Sequence, residues 1–205
     1  IYFRDLVREN PDSSAVNLGL GRIAVQRGDA PMAIDYYHKA IYGGLPDPSP
    51  KDRISMRTEL IGFLGKSGRV KQAQVELLTL IAENPDDLEV QKQSAFLLLD
   101  YGMPMESTQA FREIVKKSPQ DAEALAGLGQ AAFVRDYRTA QRALRSALSK
   151  NPHDAKSKQK LERVERILEQ DPNLRGLKAA ERYDRSRKLL GAALQSLDQC
   201  LAREA

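Results

Sequence analysis

Two hexapeptides carry the glycine spacing that could bind a dinucleotide. Residues 19–24 read GLGRIA and residues 127–132 read GLGQAA, and both fit the pattern G-x-G-x-x-A. In a dinucleotide site these glycines follow a β-strand, so that a pyrophosphate can lie at the N-terminus of the next helix. The segments upstream, ENPDSSAVNL and SPQDAEALA, instead resemble a turn followed by the start of a helix. We therefore predict that neither hexapeptide binds a nucleotide, and we expect no cofactor.

Few other side chains could catalyse a reaction or bind a metal ion. The chain has two histidines and one cysteine, and no His/Cys cluster has the spacing of metal ligands. We predict His38 at a solvated helix position, His153 in a turn and Cys200 as a small residue that packs between helices. The patterns G-x-x-x-x-G-K-[ST] and G-x-S-x-G are absent. We therefore predict no enzyme, with no catalytic residue and no metal site.

The composition is ordinary for a globular protein. Of the 205 residues, 41% are apolar and 29% are charged, and the longest apolar stretch, AFLLL at 95–99, is too short to span a bilayer. No signal peptide is visible. Because the chain begins at Ile1 without an initiator methionine, we expect a fragment of a longer protein, and the compartment stays open.

The chain repeats itself with a period of about 34 residues. A polar residue followed by proline recurs at 84–85, 118–119 and 151–152, with separations of 34 and 33 residues. Gly28, Gly68 and Gly102 are 40 and 34 residues apart, and a six-residue insertion in the Pro/Gly-rich stretch 42–53 explains the longer interval. The two hexapeptides occupy the same phase of this period. Within each period, apolar residues at helical spacing predict two helices around a turn.

A helix–turn–helix period of this length resembles the tetratricopeptide repeat family. That family has Leu-Gly and a further apolar residue on the first helix, then Ala and an aromatic residue on the second, and a closing Pro. The first repeat supplies Leu20, Gly21, Ala24, Ala33, Tyr37, Ala40 and Pro46. The second and third supply Leu60, Leu64, Gly68, Ala73, Leu77, Pro85, Ala95, Leu98, Gly102, Phe111, Ile114 and Pro119. The fourth supplies Leu128, Gly129, Ala132, Ala140, Leu144, Ala147 and Pro152, and lacks the glycine between its helices.

The resemblance implies an all-α fold, a right-handed superhelix (α-solenoid) of tetratricopeptide-type helix-turn-helix repeats with a helical C-terminal cap. We predict the end of a truncated repeat at 1–11, where Phe3, Leu6 and Pro11 match the family, and full repeats at 14–46, 54–85, 88–119 and 121–152. An insertion loop is expected at 47–53 and a fifth hairpin at 154–203. Glycine in the Leu-Gly position would let two helices approach closely.

The fifth hairpin differs from the repeats before it. Its first helix is highly charged, with Leu161, Val164 and Leu168 as the apolar stripe. Asp171 and Pro172 have the residue types of an N-cap and a first helical position, so we predict one helix of roughly 30 residues from there. Its apolar stripe comprises Leu177, Ala180, Tyr183, Leu190, Leu194, Leu197 and Leu201. We predict that this helix caps the array.

In the resembling family, the first helices line a concave groove that binds extended peptides or partner helices. The resemblance therefore implies a protein-interaction scaffold or adaptor. The candidate groove residues are Leu18, Arg22, Val25, Gln26, Thr58, Glu59, Lys66, Lys92, Phe96, Leu99, Asp100, Gln130, Phe133, Lys156, Lys160 and Arg163. Phe96 and Phe133 either form an apolar floor or are covered by a neighbouring repeat. Lys156 and Lys160 match part of the family's carboxylate clamp, but the asparagines that complete it are missing, so that activity is not inferred.

Two alternatives remain open. The basic character is confined to residues 156–188, which carry 11 basic and 6 acidic side chains, so this segment could bind an acidic polymer or an acidic partner segment. Nucleic acid is disfavoured because Tyr183 is the single aromatic residue available there for base stacking. Alternatively, the leucines of the last helix could dock against another copy of the chain and form a homo-oligomer.

Overall fold

The computed structural model describes residues 10–43 and 46–204, without the side chains of Arg203 and Glu204. Over these residues the protein contains ten α-helices and no β-strand. The all-α prediction is therefore confirmed. Most of the predicted truncated repeat, including Phe3 and Leu6, lies outside the described residues.

The helices follow one another with short connections. They are α1 (Ser14–Gln26), α2 (Ala30–Tyr42), α3 (Pro50–Lys66), α4 (Val70–Glu83), α5 (Leu88–Asp100), α6 (Pro104–Lys117), α7 (Ala122–Ala132), α8 (Tyr137–Lys150), α9 (Ala155–Gln170) and α10 (Ala179–Glu204). The two glycine hexapeptides lie within α1 and α7, and no strand precedes either of them in the residues that the structure describes. The prediction that they are not dinucleotide turns rested on this context.

Aspartate caps begin the first helices of the later repeats. Asp87, Asp121 and Asp154 precede α5, α7 and α9, and each carboxylate accepts two backbone N–H groups at 2.9–3.2 Å. Each aspartate follows a proline by two residues, as in NPDD, SPQD and NPHD. The carboxylates satisfy N–H groups that have no acceptor within the helix.

In each of the first three repeats, a glycine in the left-handed backbone conformation connects the two helices. Gly28, Gly68 and Gly102 have φ values of 71°, 71° and 78°, which most side chains rarely adopt. The fourth connection lacks this glycine and closes differently, with the Asp136 N–H donating to the Ala132 carbonyl at 2.7 Å. Its shorter turn therefore needs no left-handed residue.

The described chain divides into two compact units, one ending at Ala110 and the other beginning at Phe111. In the first unit, α1 to α5 pack in chain order around a single apolar core. Its centre is formed by Tyr37, Leu60, Leu64 and Leu77, all with no exposed surface. The Tyr37 ring lies against Gly21, where an added Cβ would come within 2.9 Å of ring carbon Cδ2.

The second unit repeats this close approach at both glycines of its hexapeptide. The Phe111 ring occupies the space that a Cβ on Gly127 would need, and a Cβ on Gly129 would lie 2.5 Å from the Leu144 Cγ. Helices α7, α8 and α9 pack on one another, with Val164 buried between them. The glycines of GLGQAA therefore permit helix packing.

Helices α3 and α10 differ from their predicted bounds. Residues 47–53 were predicted as a loop, but α3 begins at Pro50, because Ser49 caps it by accepting the Asp52 N–H at 3.2 Å. The last helix begins at Ala179, not at Pro172. The Asp171 carboxylate accepts the Asn173 N–H at 2.8 Å within a turn, and Gly176 follows at φ 92°. Asp171 is thus the C-cap of α9 and does not begin a helix.

The predicted packing of the last helix is also wrong for its leucines. Leu190, Leu194, Leu197 and Leu201 are 53–62% exposed. Cys200 is exposed on the same helix and does not pack between helices. Helix α10 is held near its N-terminal end, where Arg185 donates to the carbonyls of Leu168 and Asp171 at 3.4 and 3.3 Å.

Candidate functional site

In the first unit, the predicted groove residues of α1 meet those of α3 through an ion pair. The Arg22 guanidinium donates to both carboxylate oxygens of Glu59, with Nε–Oε1 and Nη2–Oε2 distances of 3.0 Å. The hydrogen bond from Arg22 outweighs partial burial and lowers the pKa of Glu59. Leu18 and Val25 are half-buried against the core. The accessible part of this surface is therefore mainly polar, formed by Arg22, Gln26, Thr58, Glu59 and Lys66, all exposed.

On α5, the predicted residues are partly covered. Phe96 and Leu99 are half-buried, and Asp100 is exposed. The Lys92 side chain is only 15% exposed, and its Nζ lies 3.3 Å from the Glu89 carboxylate. Phe96 is thus neither a fully exposed residue on the floor of a groove nor a fully buried core residue.

In the second unit, three predicted residues form an aromatic and cationic cluster. The Lys160 Nζ and the Arg163 Cζ each lie 5.4 Å from the centre of the Phe133 ring, within the range of cation–π attraction. The Tyr137 ring packs edge-on against Phe133, with centroids 5.7 Å apart. We call Phe133, Tyr137, Lys160 and Arg163 the Phe133 cluster.

The Phe133 cluster is positioned by the C-terminal end of α7 and the middle of α9. Phe133 is the C-cap of α7 and is half-buried against the apolar core of this unit. Burial, followed by the nearby charge of Arg163, lowers the pKa of Lys160. Gln130 is half-buried one turn before Phe133, and Lys156 is exposed one turn before Lys160. The Phe133 ring thus has two cations within the range of cation–π attraction.

An ionic cluster around the buried Arg57 side chain, in the first unit, was not predicted. The Arg57 guanidinium lies 2.6 Å from Glu76 and 3.1 Å from Glu83, and its side chain is only 2% exposed. It also donates to the Tyr42 hydroxyl, and His38 Nε2 lies 2.8 Å from the Glu76 carboxylate. We call these five residues the Arg57 cluster. The His38 side chain is 40% exposed, and its ring also connects α2 to α4 through Glu76.

The sequence contained one signal for the Arg57 cluster. Arg57 precedes Leu60 and Ile61 by three and four residues, so it lies on the apolar stripe of α3. A charged residue on the apolar stripe becomes buried when α3 packs against its neighbours, and it then requires an oppositely charged partner. Burial opposes ionisation of Glu76, but its hydrogen bond with His38 and the charges of His38 and Arg57 keep the pKa of Glu76 below its usual value.

A cleft of about 700 Å³ lies in the second unit, between α8, the end of α9 and the start of α10. Its walls contain Arg138, Gln141, Arg142, Arg145, Glu165, Leu168, Glu169, Leu174 and Arg185. We call it the arginine cleft. Arg145 is paired with Glu165 at 2.6 Å and Arg185 with Glu181 at 2.8 Å. Among the described residues, Arg138 and Arg142 form no ion pair.

Neither a metal site nor a membrane-spanning helix is found in the described part of the chain. In the described part of the chain, no group of three or more His, Cys, Asp and Glu side chains is arranged to hold a metal ion. None of the helices described has both the length and the apolar character needed to cross a bilayer.

Sequence comparison finds one family match, near the N-terminal end of the chain. The family profile described as "Tetratricopeptide repeat" matches residues 2–52, which include α1 and α2. Over this stretch, the chain is similar to tetratricopeptide repeats. No curated protein matches the sequence.

Solved tetratricopeptide-repeat structures share the fold. YrrB, a tetratricopeptide-repeat protein with an unusual peptide-binding site, has a TM-score of 0.54 and 21% identity over 77% of this chain and 79% of its own. MamA from Desulfovibrio magneticus RS-1 has a TM-score of 0.55 and 14% identity over 92% of this chain and 97% of its own. A tetratricopeptide-repeat protein from Parabacteroides merdae ATCC 43184 has a TM-score of 0.53 and 15% identity over 96% of this chain and 67% of its own.

These likenesses confirm a solenoid fold of helical repeats.

Proposed function

We propose that this protein binds a peptide or a partner helix on surfaces formed by its first helices and catalyses no reaction. The observation that carries the proposal is the Phe133 cluster, in which an aromatic ring is flanked by two cations on adjacent first helices. A half-exposed aromatic ring provides an apolar anchor, and such anchors dominate the affinity of many interfaces. Lys160 and Arg163 add donors for carboxylate or carbonyl groups of a ligand.

Two further observations support this proposal. The Arg22–Glu59 pair presents exposed donors and acceptors on the first helices of the first unit. YrrB, which shares the fold, is a tetratricopeptide-repeat protein with an unusual peptide-binding site. A bound peptide of complementary charge would contact Phe133 through an apolar side chain and Lys160 and Arg163 through acidic groups.

The test uses a displayed library of random peptides selected on the whole chain. A labelled peptide from this selection is then titrated against the wild-type protein, Phe133→Ala and Val134→Ala. Val134 is the matched control, because it is the next residue and its side chain is 52% exposed. We expect Phe133→Ala to weaken binding at least tenfold, which is about 1.4 kcal/mol, and Val134→Ala to have little effect.

Folding is measured on the same variants by circular dichroism. The double variant Phe96→Ala/Phe133→Ala should retain its helical signal and cooperative melting while losing peptide binding. Unchanged affinity in Phe133→Ala would contradict the proposal. Unfolding of the double variant would instead assign these rings to the core.

A second candidate function is supported by the arginine cleft. Four arginines line it against two glutamates, and arginine binds carboxylates through two parallel hydrogen bonds. We therefore propose an acidic protein segment as its ligand. The basic segment predicted at 156–188 contributes Arg185 to this cleft, whereas Arg138, Arg142 and Arg145 come from α8.

Labelled polyglutamate is the probe for the arginine cleft. We expect its affinity to fall several-fold between about 50 and 200 mM salt, because exposed charges are screened over about 10 Å. Arg142→Glu should weaken binding more than Arg166→Glu, which makes the same charge change at an exposed residue outside the cleft. Affinity that is insensitive to salt, or stronger binding of duplex DNA, would contradict this candidate.

A further inference from the structure

Helix α10 carries a narrow apolar seam that nothing in the described chain covers. Tyr183, Leu190, Leu194, Leu197 and Leu201 follow one another at intervals of seven, four, three and four residues. Each is more than half exposed, from 53% for Leu194 to 71% for Tyr183. Burying leucine side chains is favourable, and this seam is a substantial apolar surface in water.

The spacing of the seam selects another helix as its partner. Alternating intervals of three and four residues give a mean period of 3.5, which is the period of a two-helix seam with apolar a and d positions. Tyr183, Leu190 and Leu197 are d positions, and Leu194 and Leu201 are a positions. Arg187 occupies the remaining a position between Tyr183 and Leu190 and is the one charged member of this run.

A glycine beside the seam also indicates close contact with a second helix. Gly191 lies near the middle of α10, and a Cβ added there would meet no described atom within 4 Å. Glycine inside a helix costs about 1 kcal/mol relative to alanine, and nothing in this unit requires its small size. A second helix packed against the seam would gain from the missing side chain.

The seam residues of two copies match each other when the two α10 helices run antiparallel. With Ala192 at the centre, Leu190 lies opposite Leu194 of the second copy, and Tyr183 lies opposite Leu201. Arg187 then lies opposite Leu197, beside Asp198 of the second copy. A parallel pair would instead place Arg187 against Arg187 at the same level, which like-charge repulsion disfavours.

The charges flanking the seam favour the same orientation. Residues 179–188 carry four basic and two acidic side chains, whereas residues 189–204 carry one basic and two acidic side chains. An antiparallel pair brings the basic half of each helix against the acidic half of the other. A parallel pair would bring the two basic halves together.

We propose that α10 pairs with α10 of a second copy in an antiparallel two-helix coiled coil centred near Ala192. This dimer is separate from the proposed peptide-binding surface, because the seam residues lie outside the Phe133 cluster. The two proposals can therefore fail independently.

Sedimentation equilibrium of the whole chain over about 1–200 µM tests the dimer. The mass should rise with concentration from 22.9 kDa toward twice that value. Leu194→Glu/Leu197→Glu should weaken association at least tenfold, because it places acidic groups in the seam. The control Gln195→Glu/Gln199→Glu makes the same number of acidic changes on the other face of α10 and should leave association unchanged.

Three results of this experiment would overturn the proposal: a monomer at every concentration, equal association of the wild-type protein and the leucine variant, or equal weakening by the two variants. The circular dichroism signal of each variant shows whether the remaining helices are folded.

A label on the single cysteine can distinguish an antiparallel from a parallel pair of α10 helices. Cys200 is exposed, so a spin label can be attached without any substitution. In the antiparallel pair the two labels are sixteen residues apart along the axis, about 24 Å at 1.5 Å per residue. In a parallel pair they would be level, with helix axes roughly 10 Å apart. A pulsed electron paramagnetic resonance distance near 25 Å is expected, and a distance near 10–15 Å would overturn the antiparallel arrangement.

Discussion

At the scale of single residues, the neighbours of each glycine decide whether its small size is required. Gly129 and Gly62 both lie inside helices, yet a Cβ on Gly129 would lie 2.5 Å from Leu144, whereas a Cβ on Gly62 would meet nothing within 4 Å. The repeated hexapeptides predicted close helix packing at Gly129. They gave no information about Gly62, which lies outside them.

We expect Gly129→Leu to destabilise the protein by about 1–3 kcal/mol, because it overpacks the α7–α8 contact. Gly62→Ala should instead stabilise it by about 0.4–1 kcal/mol, because alanine restricts the unfolded chain without a clash. Urea unfolding followed by circular dichroism measures both changes. An unchanged midpoint for Gly129→Leu would contradict the packing assigned to this glycine.

The environment of an ion pair determines its contribution to stability. Arg57 and Arg22 each bind a glutamate on another helix, but the Arg57 side chain is 2% exposed and that of Arg22 is 55% exposed. We expect Arg57→Ala to cost about 3–5 kcal/mol, because it leaves the buried Glu76 without its cation. Arg22→Ala should cost about 1 kcal/mol or less. Equal urea midpoints for the two variants would contradict the burial of the Arg57 cluster.

Acid should weaken the Arg57 cluster. The pKa of Glu76 is lowered from its usual value of 4.5, so the folded state binds its proton less readily than the unfolded state. Its stabilising contribution is therefore complete above about pH 4.5 and is lost as the pH falls through the lower folded value. Between pH 7 and pH 3.5, the wild-type protein should lose more stability than Glu76→Gln. Parallel pH profiles of the two proteins would contradict this assignment.

The Arg57 cluster shows which contacts could not be predicted from the sequence. Periodicity predicted the core positions Leu60 and Leu64, because one helix determines its own stripe. The partners of Arg57 come from α2 and α4, and periodicity within one helix does not indicate which residues of neighbouring helices meet. The phase of Arg57 indicated burial, but not the identity of its partners.

At the scale of elements, the aspartate caps set the start of the first helices. The Asp154 carboxylate accepts the N–H groups of Lys156 and Ser157. We expect Asp154→Ala to cost about 1 kcal/mol, measured by urea unfolding. Asp171→Ala is the control, because Asp171 accepts an N–H in a turn, and it should change stability by less than about 0.5 kcal/mol. Equal losses in the two variants would contradict the capping role.

The same comparison explains why the start of α10 was not predicted. Asp171 and Pro172 have the residue types of a helix start, but their side chains and backbone form a turn. Gly176 then adopts φ 92°, a conformation outside the helical region. Residue types alone did not distinguish a cap from a turn, whereas the aspartates two residues after Pro85, Pro119 and Pro152 do begin helices.

At the scale of the whole molecule, the first helices leave different amounts of surface uncovered, and within α7 only Glu123 is exposed. In the second unit, α7 and α9 pack on each other and on α8, and the Phe133 cluster lies on their remaining surface. The 34-residue period predicted this fold. The position of each residue around its helix predicted which residues could line a groove. It did not predict that Lys160 and Arg163 converge on Phe133, because that depends on the relative rotation of two helices.

Backbone hydrogen exchange measured by mass spectrometry, with and without the selected peptide, tests the central claim most directly. If the first helices bind the peptide, exchange should slow in residues 122–133 and 155–170, which contain α7 and α9. Residues 138–149 of α8 should exchange at an unchanged rate. Slower exchange confined to α8, or no change in α7 and α9 when the peptide is saturating, would contradict the account.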